Sequence, residues 1–122
     1  MRVIAGIYRG HPITAPAGPA VRPTADRVRE ALFSILGSRT EGATVLDLFC
    51  GTGALGIEAL SRGAARAVFV DGSPRSLAAL RRNLDRLGIA GARVLHGRVE
   101  EALPRVEREG ERFGLVFLDP PY

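Results

Sequence analysis

Val45-Leu46-Asp47-Leu48-Phe49-Cys50-Gly51-Thr52-Gly53-Ala54-Leu55-Gly56 is the stretch on which the fold turns. Residues 45–49 form a short apolar run with a single acid in it, as a strand buried on both faces would. Gly51, Gly53 and Gly56 match G-x-G-x-x-G, and a helix is predicted from about Ala54 to Arg62, closed by Gly63. A glycine loop between a strand and a helix lets backbone approach a ligand closely. Asp71 lies twenty residues after Gly51, at the tip of the next apolar run, Ala67-Val68-Phe69-Val70. A carboxylate there can accept hydrogen bonds from both hydroxyls of a ribose.

Downstream the same rhythm repeats. Ser73 reads as a helix cap, with Pro74 at the first helical position and Gly88 past the end. Arg93–His96 is a third predicted strand, Val99–Glu109 a helix, and Phe113–Leu118 a fourth strand. Strands alternating with helices imply an α/β fold with a parallel, doubly wound sheet, whose ligands sit at the carboxyl ends of the strands.

The loop fits nicotinamide, flavin or S-adenosylmethionine, because all three carry ribose. Asp47 separates them. Four residues before Gly51, its carboxylate would repel a pyrophosphate, whereas it suits the cationic amino end of S-adenosylmethionine, directly or through water. An oxidoreductase is disfavoured on that ground.

The fourth strand runs into Asp119-Pro120-Pro121-Tyr122, at the same sheet edge. An exocyclic base amine is a poor nucleophile, since its lone pair is delocalised into the ring. Two acceptors on its N–H bonds, the Asp119 carboxylate and the Pro120 carbonyl, would favour the tetrahedral nitrogen that attacks a methyl group. The prolines have no N–H to compete and hold the carbonyl fixed, and Tyr122 offers a face for base stacking. Asp119 would position the amine and stabilise the positive charge growing on it. This chemistry needs no metal.

Upstream, residues 2–15 are predicted to form a β-hairpin with Ile4, Ile7 and Ile13 among its apolar residues, and 16–23 a loop. Thr24 reads as a cap and Asp26 as a first-turn acid, with Val28, Leu32, Ile35 and Leu36 at helical spacing and Gly37 ending the helix. We divide the 122 residues into an extension, 1–42, and a cofactor-binding core, 43–122. All 17 basic residues are arginines, and the formal charge is +4. The extension holds six arginines against three acids, the core eleven against ten. A basic arm of this kind faces a polyanion, and guanidinium groups grip phosphate with paired hydrogen bonds. Arg22, Arg27 and Arg29 are the RNA-contact candidates, although Arg27 and Arg29 could equally pair with Asp26 or Glu30 on the helix surface. One cysteine, no secretory pattern and no long apolar run lead us to expect a cytoplasmic protein with no membrane contact. Cys50 is read as a packing residue rather than a nucleophile, and His11 and His96 as surface or structural histidines.

The chain resembles the RsmD-type methyltransferases. The resemblance rests on Met1–Gly6, on Arg22-Pro23-Thr24-Ala25-Asp26-Arg27-Val28-Arg29-Glu30-Ala31-Leu32-Phe33, on Val45–Gly56, on Glu58–Ala64 and on the terminal D-P-P-Y. The glycine loop and D-P-P-Y occur in many amino-methyltransferases; the Arg22–Phe33 stretch is far more specific. The resemblance implies a Rossmann-like fold with S-adenosylmethionine as donor. It implies the N2 amine of a guanine in 16S ribosomal RNA as acceptor, met as RNA or in the small ribosomal subunit, and Asp119, Pro120, Pro121 and Tyr122 as the catalytic loop. Candidate cofactor contacts are Asp47, Phe49, Gly51, Gly53, Asp71 and Val99. Val99 enters because many relatives carry Asp or Asn near position 98, where this chain has Arg98. An arginine cannot accept from the adenine amine, so backbone at Val99 would read it instead. Family members continue past D-P-P-Y with strands and helices that complete the sheet, so a core lacking its C-terminal strands is expected, with apolar surface left open beside the fourth strand. Two other functions remain open on these residues: DNA adenine-N6 methylation, which uses the same loop, and a non-catalytic RNA- or cofactor-binding remnant.

Overall fold

The computed structural model describes residues 1–16 and 25–120. Four strands, β1 (Thr44–Leu48), β2 (Arg66–Asp71), β3 (Ala92–His96) and β4 (Leu115–Leu118), form one parallel sheet in the order β3-β2-β1-β4. Helices α2 (Ala54–Ser61), α3 (Pro74–Leu87) and α4 (Val99–Arg108) make the crossovers, and α1 (Asp26–Leu36) precedes the sheet. The chain builds outward from β1 to β3 and then returns to the other side of β1. The strand order therefore reverses at β1, the position where doubly wound sheets open a ligand crevice.

Side chains alternate along each strand and divide the core in two. Val45, Phe69, Leu115 and Phe117 face α2 and α3, together with Leu77, Leu80 and Leu84 of α3. Leu46, Leu48, Val68, Val70 and Leu95 face Val99, Ala102 and Val106 of α4. Each such buried side chain stabilises the fold by about 1.5–3 kcal/mol. β4 is an edge strand, and its α4-side residues Val116 and Leu118 are 55% and 65% exposed. This is the open apolar surface expected beside the fourth strand.

The caps of α3 follow the sequence. The Ser73 hydroxyl accepts the Ser76 N–H at 3.2 Å, Pro74 opens α3, and Gly88 closes it in the left-handed conformation. The fourth strand is shorter than predicted, beginning at Leu115 rather than Phe113.

The N-terminal region departs more. The expected hairpin is reduced to one antiparallel bridge, Arg2 with Pro12, extended by hydrogen bonds from the Val3 N–H to the His11 carbonyl and from the Ile13 N–H to the Met1 carbonyl. Val3 and Ile13 are buried in the α2/α3 side of the core, whereas Ile7 is exposed. The arm needs no second strand because it packs on α2. Gly6 lies so close to the end of α2 that a Cβ there would meet the Ser61 carbonyl at 1.9 Å. The Ile7 N–H bonds that carbonyl, while the Ser61 hydroxyl accepts from the Tyr8 N–H and donates to the Ala5 carbonyl.

The cap position of α1 is Ala25, with no side-chain hydrogen bond; Thr24, the expected cap, lies outside the described residues, as does the 16–23 loop apart from Pro16. The buried face of α1 is only partly the expected one: Leu32 and Leu36 pack against the core. Val28 and Ile35 are exposed, and Arg29 and Phe33 are buried. Phe33 meets Phe117 edge-to-face at 5.7 Å, with the Arg62 guanidinium 4.9 Å above its ring.

Candidate functional site

Four carboxyl ends meet at one edge. β1 leads into Phe49–Gly53, β2 ends on Asp71, β3 runs through His96 to the start of α4, and β4 ends before Asp119. Leu48 is paired with Val70 on one side and Leu118 on the other, so the glycine loop leaves the sheet between Asp71 and Asp119.

The loop backbone is unusual. Phe49 has φ +55°, alone in positive φ among the described non-glycine residues, and Gly51 and Gly53 follow at +56° and +91°. A left-handed phenylalanine is strained, and strain of this kind collects at ligand sites. Glycine suits position 53 because its φ of +91° would strain any other residue, and a Cβ there would also displace Leu80 Cδ1, 2.3 Å away. At Gly51 a Cβ would meet nothing within 4 Å, so the outer side of the loop is open. Gly53 caps α2 without a side-chain bond, which leaves the helix start to backbone donors.

Asp71 is held by two backbone donors. Its Oδ2 accepts the Gly51 N–H at 2.8 Å and its Oδ1 the Ser73 N–H at 2.8 Å. A carboxylate offers about four acceptor positions, so each oxygen keeps capacity for a ribose hydroxyl while its orientation is fixed in advance.

Asp47 lies deeper. It sits in register between Phe69 and Phe117 and is 1% exposed. Its Oδ2 accepts the Gly56 N–H at 2.9 Å, tying β1 to α2. Burial pushes its carboxyl up to about 7 against the opposing pull of that N–H, and the charges of Asp119 and Asp71 push the same way. Cys50 is buried, and burial beside Asp47 and Asp71 raises its thiol far above the range where a nucleophilic thiolate forms.

Val99 is the first residue of α4 and is buried; the N–H of a first helical residue has no acceptor within its helix. Arg98 points its guanidinium to Glu100 at 3.0 Å on the surface. His96 Nε2 lies 3.2 Å from the Gly72 carbonyl. Asp119 is exposed and Pro120 partly buried, while Pro121 and Tyr122 lie outside the described residues.

One RNA-contact candidate must be corrected. Arg29 is 0% exposed. Its Nη1 donates to Glu58 at 3.0 Å, and its Nη2 to Asp26 at 2.6 Å and to the Arg2 carbonyl at 2.8 Å. It is a structural cation, because Glu58 on α2 is buried and needs a partner. Arg27 is exposed, and Arg22 lies outside the described residues. Sequence reasoning missed Glu58 and Asn83, both fully buried. Each had a signal. Glu58 is the lone acid in apolar α2, and Asn83 falls on the leucine stripe of α3, next to Leu84 and three residues after Leu80. Among the described residues no cluster could hold a metal, and no helix is long and apolar enough to cross a membrane.

Comparison with known proteins agrees with this architecture. The ribosomal RNA small subunit methyltransferase D of Escherichia coli K12 is 40% identical over 122 residues, covering 100% of this chain and 60% of the relative. The structure of hypothetical protein TTHA0928 from Thermus thermophilus superposes with a TM-score of 0.89 at 40% identity, over 100% of this chain and 70% of that one. SMU.776, solved in complex with SAH, matches at 30% identity and a TM-score of 0.66, over 78% of this chain and 25% of its own. The chain thus spans about 60% of the length of the Escherichia coli relative. The sheet is the Rossmann-like fold of S-adenosylmethionine-dependent methyltransferases. Residues 1–122 match the family described as Conserved hypothetical protein 95, and this chain belongs to that family, the RsmD family of ribosomal RNA methyltransferases.

Proposed function

We propose that this chain binds S-adenosylmethionine at the β1 edge and carries the catalytic loop of an enzyme that methylates the N2 amine of a guanine in small-subunit ribosomal RNA. The observation that carries the proposal is the flanking of one glycine loop by Asp71 and by Asp119-Pro120, across the point where the strand order reverses. The rRNA substrate of the Escherichia coli relative and the SAH complex of SMU.776 support it.

When bound, S-adenosylmethionine supplies an electrophilic methyl group on a sulfonium. The residues of this chain fit it. Asp71, oriented by the Gly51 and Ser73 N–H groups, accepts the ribose hydroxyls. The open side of Gly51 and the helix start receive the amino-acid end. Asp47, once ionised, would supply negative potential for the cationic amino end. Asp119 and the Pro120 carbonyl would accept from the two N–H bonds of the guanine amine and favour the tetrahedral nitrogen whose lone pair can attack. The Asp119 carboxylate would stabilise the positive charge that develops on that nitrogen as the methyl–sulfur bond breaks and the neutral thioether leaves, and the extra proton would then pass to water. Arg22 and Arg27 of the basic arm hold the RNA phosphates, in the cytoplasm.

Transfer of a tritiated methyl group tests the reading. Label should pass to small-subunit RNA, naked or in the subunit, and not to duplex DNA. Label on duplex DNA alone would replace it with adenine-N6 methylation, and no transfer with SAH bound would leave a cofactor-binding remnant.

A further inference from the structure

Asn83 is fully buried and joins two parts of the chain that the site chemistry does not otherwise connect. Its Nδ2 donates to the Thr52 carbonyl at 3.2 Å, in the middle of the glycine loop, and to the Thr14 carbonyl at 3.0 Å, in the N-terminal arm. Its Oδ1 accepts the Thr14 N–H and the Thr14 hydroxyl, both at 3.0 Å, and Arg86 Nη2 at 2.8 Å. Arg86 also donates to the Pro12 carbonyl at 2.5 Å. The Thr14 N–H can only donate, so the side-chain amide is fixed with its NH2 toward Thr52. Both hydrogens of that NH2 are then used.

The bond to Thr52 matters because of its neighbours. The carbonyl belongs to the Thr52–Gly53 peptide, whose N–H donates to the Cys50 carbonyl at 2.9 Å; Gly53 lies at positive φ, and a glycine offers little intrinsic resistance to rotation of the peptide before it. Such a rotation would turn the Thr52 carbonyl outward and change which backbone groups the loop presents to a ligand. The Asn83 amide holds that carbonyl inward from one side of the peptide while the Gly53–Cys50 bond holds the other, and the arm holds Asn83. We infer that Asn83 is a positioning residue through which the N-terminal arm fixes the glycine loop in its cofactor-binding form. The inference rests on the cofactor reading above, and it makes Thr14, an exposed arm residue, a determinant of cofactor affinity.

Titration calorimetry with S-adenosylhomocysteine on the whole chain tests it with two single variants and their combination. Asn83→Asp keeps the shape and the acceptor toward Thr14 but removes both donors and sets a carboxylate against the Thr52 carbonyl. Thr14→Pro removes the arm's N–H and hydroxyl and leaves α3 untouched. Each should raise Kd about tenfold, and the double variant should bind no more weakly than the worse single one, as residues acting through one relay do. A folded Asn83→Asp protein with unchanged Kd overturns the inference, as does additive loss in the double variant. Should Asn83→Asp fail to fold, Thr14→Pro decides: a lowered melting temperature with unchanged Kd means a purely structural contact and overturns it. Wild-type protein that binds no S-adenosylhomocysteine refutes the cofactor reading itself, and this inference falls with it.

Discussion

Arg29 and Glu58 meet at 3.0 Å with neither side chain exposed, and this ion pair joins α1 to α2, the helix that follows the glycine loop. Glu58 also accepts the Ile4 and Ala5 N–H groups, at 2.9 and 3.1 Å, and Arg62 Nε at 2.8 Å. One carboxylate thus fastens the arm, the first helix and α2 together. Removing one partner of such a pair leaves a buried charge. We expect Arg29→Met to lower stability by about 3 kcal/mol, read as a lower urea midpoint at unchanged slope. Replacing both, as Arg29→Met with Glu58→Leu, should not restore it, since the Ile4 and Ala5 N–H groups would lose their acceptor. A double variant as stable as wild type would show that those two backbone bonds carry no net stability.

Asp47 gives a pH dependence of definite sign. Its folded carboxyl titrates at about 7 against an ordinary value of 3.8. The native state therefore holds a proton that the unfolded state has released. The stability this contributes is complete below the ordinary value and is lost as pH rises through about 7. Cofactor binding should run the other way, because the ionised carboxylate attracts the cationic ligand. Melting temperature should fall from about pH 4 to pH 7 and level off above it, while S-adenosylmethionine affinity should rise as the folded carboxyl ionises, from about pH 6 to pH 8. Asp47→Asn, which can still accept the Gly56 N–H, should flatten both trends; trends that persist in that variant would assign them to another group.

For Asp71→Ala we expect an S-adenosylhomocysteine Kd raised by roughly tenfold to a hundredfold, the worth of hydrogen bonds to a charged group. Calorimetry at about pH 8 isolates this effect from the titration of Asp47. The Gly51 and Ser73 N–H groups lose their acceptor as well, so the melting temperature should drop modestly. Unchanged affinity would remove Asp71 from the cofactor site.

Asp119→Ala should separate binding from chemistry. We expect methyl transfer to fall by about a hundredfold or more with S-adenosylhomocysteine affinity within about twofold of wild type. Retained transfer would refute its role on the amine. Arg27→Ala should leave transfer at saturating RNA unchanged and raise the RNA KM most at low salt, with a shallower salt dependence than wild type, the mark of a lost phosphate contact.

The sheet and three of the helices were legible because their signals are local. Ser73, Pro74 and Gly88 bracket α3 by capping chemistry, and the short apolar runs could be little else than buried parallel strands. The arm and α1 were misjudged because their partners are distant. Arg29 looks like surface charge until Glu58 is placed beside it across 29 residues of chain. Val28 and Ile35 look like core until the Phe33 side of α1 turns toward Phe117. In the site, spacing alone led to Asp71 and the glycines. Asn83 needed the fold, because nothing near it in sequence reveals that Thr14 and Thr52 converge there.

The reversal of strand order at β1 also has a kinetic consequence. Val45 pairs with Ala67 on one side and with Leu115 on the other. Closing the longer loop costs about 1 kcal/mol more in chain entropy, and pairings between distant segments form later in folding than those between near ones. The glycine loop and Asp71 are thus assembled in the first β-α-β unit, whereas Asp119 arrives only when β4 docks. In pulse-labelled hydrogen exchange during refolding, amides of β1 and β2 should gain protection before those of β4. The half of the site that holds the donor would then exist before the half that acts on the acceptor.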